Sequence, residues 1–290
     1  MSIISQLLRF AFYSNFVRTL QKLVRNIKPD DIARLDPGRM LNDSLIEFGL
    51  RFWHHGLTIS HPQLAEDVFV FSPFFYSVLE ANSPEEAYKR VKTWTLRGKI
   101  QVDIFSKRYL VVPIHDRSQH HWYLAIVYRP KFVLPYHQAS PTSPNPHASG
   151  ESESMPVEVN DKDSDVAPRT RVCILDSLGG CHPQVTSRLS AYLRLEADAK
   201  HQLRDTSDAV ERYVRVPLQL NQTDCGVYML YFAEIFVEYL ESSMSAPESQ
   251  EDSENLWDIC RLQHYHRLNQ YRMNMTQNFL KTKYCNLISP

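Results

Sequence analysis

The stretch PLQLNQTDCGVYML, Pro217 to Leu230, places a cysteine between an acidic residue and a glycine, where a polar turn meets an apolar run. The run from Cys225 to Leu240 is apolar almost all round, which predicts a helix buried in the centre of the domain. Cys225 then lies at the start of that helix, where unpaired backbone N–H groups and the helix dipole favour a thiolate. Gly226 adds no side chain that could obstruct a carbonyl approaching the sulfur. The stretch therefore predicts a cysteine nucleophile.

Other roles for this cysteine have weaker support. A cysteine inside a hydrophobic helix is most often a buried, inert thiol, and only the residues around Cys225 favour a nucleophile. The chain has five cysteines, an odd number without a CxxC pair, so their spacing favours neither a zinc site nor a disulfide framework. They are Cys173, Cys181, Cys225, Cys260 and Cys285. We therefore expect free thiols, with no metal and no cofactor.

A cysteine nucleophile needs a base and an oxyanion donor, and residues at the ends of predicted strands can supply both. His121 opens the strand HWYLAIVY, and Asp176 ends the strand RVCILD, from which it can orient the histidine. Gln219 ends the predicted strand ERYVRVPLQL and is a neutral donor for the same carbonyl oxygen. His121 is preferred to His120 because Trp122 follows it directly. Taken alone, His121 is most simply a strand histidine and Asp176 a turn residue, so the prediction depends on the set.

The order of the segments predicts an α+β fold. Strands are predicted at YLVVPIH, HWYLAIVY, RVCILD and ERYVRVPLQL, and at the start of DVFVFSPFFYSVLE. Helices are predicted from Pro29, from Asn42 or Asp43, near Pro84, and from about Pro183 to Lys200. No regular βαβ repeat is present, which argues against a doubly wound parallel sheet.

The composition is that of an ordinary globular protein. The 290 residues include 43% hydrophobic and 22% charged side chains, and the formal net charge is −1. This balance offers no electrostatic reason to bind nucleic acid, and no apolar run is long enough to span a bilayer. We expect an N-terminal extension at residues 1–22 and one domain at 23–290. Proline, serine and acidic residues near 135–169 and 242–255 predict two disordered insertions.

Several segments resemble the Ulp/SENP family of cysteine proteases, which remove the ubiquitin-like modifier SUMO. Pro217 to Gly226 matches the family's cysteine-loop signature, P-x-Q-x-N-x-x-D-C-G. His121-Trp122 and Asp176-Ser177 match its other two catalytic boxes in the right order, and LNDSLIEF (Leu41 to Phe48) resembles its N-terminal helix. The segments FSPFFY and VDIF, with the long insertion after the histidine strand, resemble the chain-editing branch more than the precursor-processing branch. Together the matches cover about Leu23 to Leu240.

For the catalytic residues, the resemblance implies a papain-like cysteine protease fold: a central mixed sheet with a buried catalytic helix and flanking helices. It makes Cys225 the nucleophile and His121 its base. Asp176 would orient the histidine, and Gln219 would line the oxyanion hole. The reaction would be hydrolysis of the isopeptide bond between a SUMO glycine and a lysine, including bonds within SUMO chains.

For the substrate side, the resemblance implies contacts with the modifier's C-terminal tail. Trp122 would lie over the narrow tunnel that admits the Gly-Gly tail, and Gly226 would leave the approach to the sulfur open. Asp43, which alone is most simply a helix N-cap, would contact a basic residue of the modifier. Met40 departs from the family, which usually has Trp or Phe closing the tunnel at this position. Methionine is expected to cover the tunnel less rigidly.

The implied partners are SUMO and SUMO-conjugated proteins, with no nucleic acid and no membrane. A monomer in the nucleus, or shared between nucleus and cytoplasm, is expected by family analogy. A protease for a Nedd-type or ubiquitin modifier stays open as an alternative, because specificity lies in the surface around Asp43 and Trp122. An acetyltransferase using the same His/acid/Cys set and a non-catalytic modifier-binding module are further alternatives. The LND and FSPFFY matches argue against the former, and the intact catalytic set argues against the latter.

Overall fold

The computed structural model describes residues 27–97, 100–135, 169–214 and 216–243. The predicted N-terminal extension at residues 1–22 lies outside these ranges, as do nearly all residues of the predicted insertions near 135–169 and 242–255. The helices are α1 (Pro29–Ile32), α2 (Asp43–Ser60), α3 (Pro62–Asp67), α4 (Phe75–Ala81), α5 (Pro84–Val91), α6 (Pro183–His201) and α7 (Cys225–Ser243). Short 3-10 turns occur at Ala33–Leu35, Ile104–Ser106 and Pro130–Val133.

Five of the described helices, α1, α2, α3, α5 and α6, begin at a capping residue or a proline. Asn42 caps α2, because its side-chain oxygen accepts a hydrogen bond from the backbone N–H of Leu45 at 3.2 Å. Asp43 is the first residue of the helix, so the reading of Asp43 as the N-cap is wrong; its carboxylate still lies at the positive end of the helix dipole. None of the helices in the part of the chain that the structure describes combines the length and hydrophobicity that crossing a membrane requires.

A five-stranded mixed sheet forms the centre of the fold. Its strands lie in the order β1-β4-β5-β6-β7. They are β1 (Val68–Val70), β4 (Tyr109–Asp116), β5 (His121–Tyr128), β6 (Arg171–Leu175) and β7 (Val210–Tyr213), and β2 (Leu96–Arg97) pairs separately with β3 (Ile100–Gln101). The three central strands are antiparallel, whereas β1 is parallel to β4 and β7 is parallel to β6. Helix α6 connects β6 to β7, as a parallel pair requires.

Helices cover both faces of the sheet, so β5 is buried along its whole length. On one face, Trp122 and Leu124 belong to a core formed with α2 and α7. On the other face, Tyr123 and Ala125 belong to a core formed with α4, α5 and α6. Every residue from Cys225 to Ala233 in α7 is buried. The α+β fold with a buried central helix and flanking helices is therefore confirmed.

The strand predicted at ERYVRVPLQL is shorter than the sequence suggests. Strand β7 ends at Tyr213, and residues 216–219 form no regular strand. Pro217 has no backbone N–H to donate to a neighbouring strand, which disfavours sheet at this point. The placement of Gln219 at a strand end is therefore wrong. Gln219 lies in an irregular segment that leads into α7.

Close packing of α7 on α2 accounts for the glycine after the cysteine. A Cβ added at Gly226 would lie 3.0 Å from Cβ of Leu41 and 3.1 Å from Cδ1 of Ile46. The Leu41 backbone is itself fixed, because its carbonyl accepts a hydrogen bond from Nε1 of Trp122 at 3.1 Å. The structure therefore gives Gly226 a packing role in addition to the open approach to the sulfur that the sequence suggests.

Substitution of Gly226 by alanine is expected to destabilise the fold by about 1–3 kcal/mol, because the extra methyl group must displace the start of α2. Gly56 is the matched control, since it also lies in a helix and a Cβ there would meet nothing within 4 Å. Gly56→Ala is expected to stabilise the protein by about 0.5–1 kcal/mol, because glycine is a poor helix former. Urea unfolding of both variants measures the difference, and equal stability of the two would contradict the packing role.

Candidate active site

A hydrogen-bonded turn holds Cys225 at the start of α7. The side-chain oxygen of Asn221 accepts from the backbone N–H groups of Thr223 and Asp224, both at 2.9 Å. The Asn221 amide also donates to Oδ2 of Asp224 at 2.8 Å, and the Asp224 carbonyl accepts the helical hydrogen bond of Tyr228. These contacts explain the N-x-x-D-C spacing. They place the thiol, on a residue that is 1% exposed, at the positive end of the helix.

Strand pairing brings His121 and Asp176 together at one end of the sheet. Strands β5 and β6 are antiparallel, with Leu124 opposite Leu175, so the start of β5 lies beside the end of β6. Nε2 of His121 lies 2.6 Å from Oδ1 of Asp176, and both residues are 4% exposed. His120 is instead an exposed turn residue with a φ of 52°. Of the two adjacent histidines, His121 therefore makes the contact that the prediction requires.

Four donors surround the Asp176 carboxylate. Oδ1 accepts from His121 and from the backbone N–H of Leu178 at 2.8 Å. Oδ2 accepts from the backbone N–H of Gly180 at 3.0 Å and from Nε2 of His182 at 2.8 Å. A Cβ at Gly180 would lie 2.6 Å from Oδ2, so a larger residue here would have to displace the carboxylate. Burial raises the pKa of Asp176, but the hydrogen bonds from His121 and His182 outweigh it and hold the pKa well below its ordinary value.

The Cys225 thiol lies close enough to His121 to interact with the imidazole. Because Asp176 occupies Nε2, Nδ1 is the nitrogen that remains for the sulfur. Burial lowers the pKa of His121, but the contacts with Asp176 and Cys225 outweigh it and raise the pKa to about 9. The imidazole therefore carries a proton at neutral pH, beside a sulfur at a helix N-terminus. A protonated imidazole beside a cysteine at a helix start is an arrangement from which cysteine nucleophiles react.

Ser177 and Asn221 fix the amide of Gln219. The Oε1 atom accepts from the hydroxyl of Ser177 at 2.6 Å, and Nε2 donates to the Asn221 carbonyl at 2.6 Å. The Gln219 backbone N–H also donates to the Ser177 carbonyl at 2.8 Å. One proton of Nε2 remains available for another acceptor. Gln219 thus connects the residue after Asp176 to the turn before Cys225, and its part in the oxyanion hole stays a prediction.

The predicted substrate-side residues lie around Trp122. The indole is 2% exposed, and its Nε1 donates to the carbonyl of Leu41, which directly follows Met40. Met40 is half-buried, and so is Asp43 at the start of α2. The structure therefore brings Met40 and Asp43 to the same neighbourhood as Trp122. Their contacts with a modifier stay predictions, as does the tunnel.

Two histidines at this site have no predicted role in the sequence reading. His115 lies opposite Trp122 in the β4–β5 pair, and the two rings stack with centroids 4.3 Å apart. His182 binds Asp176 and stacks on Tyr123 with centroids 4.1 Å apart. The position of His115 could be inferred from pairing of the two predicted strands. His182 gives no comparable signal, because a loop brings it back to Asp176.

Among the residues that the structure describes, no three histidine, cysteine, aspartate or glutamate side chains are grouped so as to hold a metal ion.

Comparison with known proteins identifies the family to which the chain belongs. A family model described as the Ulp1 protease family, C-terminal catalytic domain, matches residues 39–272. The chain belongs to the Ulp1 protease family. All the predicted site residues, from Met40 to Gly226, lie inside the matched range of this Ulp1-family domain.

Individual relatives agree with the family assignment. The domain is 31% identical over 213 residues to ubiquitin-like-specific protease 2 of Schizosaccharomyces pombe, and the match covers 72% of this chain and 32% of the relative. It is 30% identical over 249 residues to sentrin-specific protease 7 of Mus musculus, and the match covers 72% of this chain and 23% of the relative. The chain thus spans a third or less of the length of these curated relatives.

Solved structures show the same fold. A crystal structure of a de-sumoylating protease superimposes with a TM-score of 0.64 at 21% identity, covering 90% of this chain and 88% of the other. The C-terminal Ulp1 protease domain, solved in complex with the yeast SUMO orthologue Smt3, gives a TM-score of 0.50 at 20% identity, covering 93% and 95%. At these identities the likeness concerns the fold, which is that of Ulp1-type proteases.

Proposed function

We propose that this domain is a cysteine isopeptidase that removes SUMO from lysines of target proteins and acts on SUMO chains. The observation that carries the proposal is the His121–Asp176 hydrogen bond at 2.6 Å, with the imidazole interacting with the thiol of Cys225 at the start of a buried helix. Nucleophile, proton carrier and orienting carboxylate lie in the order that cysteine proteases require. Membership of the Ulp1 family supports the same chemistry.

In the first half of the proposed reaction, the Cys225 thiolate attacks the carbonyl carbon of the modifier's C-terminal glycine. A carbon–sulfur bond forms, and the carbonyl oxygen takes the negative charge. The backbone N–H of Cys225 and the remaining Nε2 proton of Gln219 stabilise this oxyanion. Collapse of the intermediate breaks the carbon–nitrogen bond. His121 then gives its proton to the leaving lysine amine, which departs neutral and leaves a thioester on Cys225.

In the second half, His121 is a neutral imidazole and acts as the base. It takes a proton from a water molecule that attacks the thioester carbonyl, and the carbon–sulfur bond breaks to release the modifier. Asp176 keeps the ring oriented through both steps, because its carboxylate is itself fixed by two backbone N–H groups. The proposed steps use the protein's own side-chain and backbone groups together with water.

SUMO is the proposed modifier because two relatives carry the names of ubiquitin-like-specific and sentrin-specific proteases. Asp43 and Trp122 are proposed to meet the modifier's surface and its Gly-Gly tail, with Met40 covering the tail. Preference for chains is proposed from the resemblance of FSPFFY and VDIF to the chain-editing branch. We also propose that the protein acts as a monomer, in the nucleus or shared between nucleus and cytoplasm.

Covalent capture tests the modifier class. Purified protein is mixed with SUMO, Nedd-type and ubiquitin probes that carry a thiol-reactive C-terminus, and adducts are weighed and mapped by mass spectrometry. We expect a SUMO adduct on Cys225 and none with the other probes. An adduct with only the Nedd-type or ubiquitin probe would transfer the proposal to that modifier. No adduct with any probe, from folded protein, would overturn it.

A further inference from the structure

His182 binds the proposed catalytic carboxylate from the side opposite His121. Its Nε2 donates to Oδ2 of Asp176 at 2.8 Å, while His121 occupies Oδ1 at 2.6 Å. The side chain of His182 is only 14% exposed, and its ring lies parallel to Tyr123 with centroids 4.1 Å apart. Gly180 provides the space for this contact, since a Cβ there would lie 2.8 Å from Nε2 of His182. One buried carboxylate thus serves two histidines.

The proposed reaction sets a limit on how strongly Asp176 should hold His121. An imidazolium that is stabilised too well gives up its proton reluctantly, and efficient acid catalysis needs a donor matched to the working pH. A second donor on the carboxylate takes up part of its negative charge. It does so whether the His182 ring is neutral or protonated, because a donated hydrogen bond and a positive charge both act in the same direction.

We propose that His182 is a positioning residue that shares the charge of Asp176 and thereby sets how readily His121 protonates the leaving amine. This inference rests on the proposed function, because it concerns the amine-expelling step of that reaction. His182 touches neither the substrate nor the sulfur in this account. It acts through Asp176 alone.

Other ionisable groups lie around His121 and His182, and they are the same in wild type and in the His182 variants. Cys225 acts on His121 from α7, and Asp116 interacts with it from the end of β4. Tyr123 stacks on both histidine rings. Burial, followed by the charges around it, raises its pKa well above the ordinary value, so it is neutral. Tyr76 and Glu80 on α4 act on Tyr123 rather than on the histidines.

The test compares two leaving groups in His182→Ala and His182→Gln. With a SUMO–lysine isopeptide, kcat/KM of His182→Ala is expected to fall about tenfold, because the amine must be protonated as it leaves. With a SUMO C-terminal thioester, it is expected to change less than about twofold, because a thiolate leaves without a proton. In the plot of kcat/KM against pH for the isopeptide, the alkaline limb of His182→Ala is expected to move to higher pH. Glutamine keeps a donor near Nε2 but loses the ring, and should restore most of the activity.

His201→Ala is the matched control. His182 is the residue before α6 and His201 is its last residue. His201 also faces a carboxylate, Asp103, at 3.4 Å, but this pair lies at the opposite end of the helix from Asp176. The His201→Ala substitution should leave kcat/KM unchanged for both the isopeptide and the thioester substrate. Equal losses on the two substrates, an unmoved alkaline limb, or no rescue by glutamine would overturn the role of His182.

Failure of the proposed function would look different, because the wild-type protein would then cleave neither substrate. The His182 inference remains testable in that case through alkylation of Cys225 by iodoacetamide, which needs no modifier. The background is Cys181→Ser, since Cys181 is an exposed free thiol. Alkylation is followed on the peptide that contains Cys225 by mass spectrometry, so that the other cysteines do not contribute. The alkaline inflection of the alkylation rate is expected at higher pH in His182→Ala, and an unchanged inflection would refute the inference.

Discussion

Substitution of Cys225 by alanine is expected to abolish isopeptide cleavage, with kcat lowered by at least about 10⁵-fold. The acyl-transfer step has no other route in the proposed reaction, because His121 and Asp176 only handle and orient the proton. Affinity for the modifier should survive, since the substitution removes one sulfur from a residue that is 1% exposed. Cleavage of a SUMO–lysine isopeptide measures the loss. Titration calorimetry with SUMO measures the binding.

Cys181→Ser is the matched control for the nucleophile. Cys181 is also a free thiol and follows Gly180 in the loop around Asp176, yet it is exposed and lies outside the helix that begins at Pro183. Its substitution is expected to leave kcat within about twofold of wild type, as for most exposed positions. Cleavage by Cys225→Ala at the wild-type rate would refute the assignment of the nucleophile. Loss of activity in Cys181→Ser alone would transfer the nucleophile to the loop.

Substitution of Asp176 by asparagine is expected to lower kcat by about 10³- to 10⁴-fold while the fold is retained. Asparagine has the same shape but only one acceptor oxygen. If that oxygen faces His121, the amide group meets the donors of Gly180 and His182, and some buried donors lose their acceptor. The imidazolium also loses its anionic partner. Steady-state kinetics on the isopeptide substrate measures both kcat and its pH dependence.

The pH profile gives this prediction its direction. In the wild-type protein, activity should fall as pH rises through about 9, where His121 loses its proton. Removing the negative charge of Asp176 lowers the pKa of His121, because burial then acts without that compensation. The alkaline limb of Asp176→Asn is therefore expected at lower pH. Asp116→Asn is the control for charge alone, since Asp116 interacts with His121 electrostatically from the paired strand, whereas Asp176 is hydrogen-bonded to its ring. A limb that moves equally in both variants would contradict the direct role of Asp176.

Stability should depend on pH with the matching sign. The pKa of His121 is higher in the folded state than its ordinary value of 6.5, so its contribution to the free energy of unfolding is complete below about pH 6.5 and lost as pH rises through about 9. The pKa of Asp176 is lowered, so its contribution is present above its ordinary value of 3.8 and lost as pH falls below it. The free energies of unfolding of wild type and Asp176→Asn in urea should therefore differ most between about pH 3.8 and 6.5, where both contributions are complete.

The sequence by itself determined the fold class and most of the chemistry. Cys225 is identified by its immediate neighbours, because a buried apolar helix, its start and the flanking glycine are all local features of the chain. His121 and Asp176 can be selected because each lies at the end of a recognisable strand, and the hydrophobic pattern of strands is also local. Gln219 can be selected by its spacing from Cys225, although the prediction that it ends a strand was wrong. Pro217 is a local signal that could have prevented that error.

The tertiary structure alone decided which groups share the carboxylate and why the glycines are needed. His182 reaches Asp176 through the loop containing Gly180, and the shape of such a loop follows from contacts with the rest of the fold rather than from a repeating pattern. Gly226 packs on Leu41, which lies 185 positions earlier in the chain, so no local pattern could reveal its role. The stacking of His115 on Trp122 likewise depends on the register of β4 and β5. Local patterns reveal which chemical groups a chain carries, whereas long-range packing decides which of them touch.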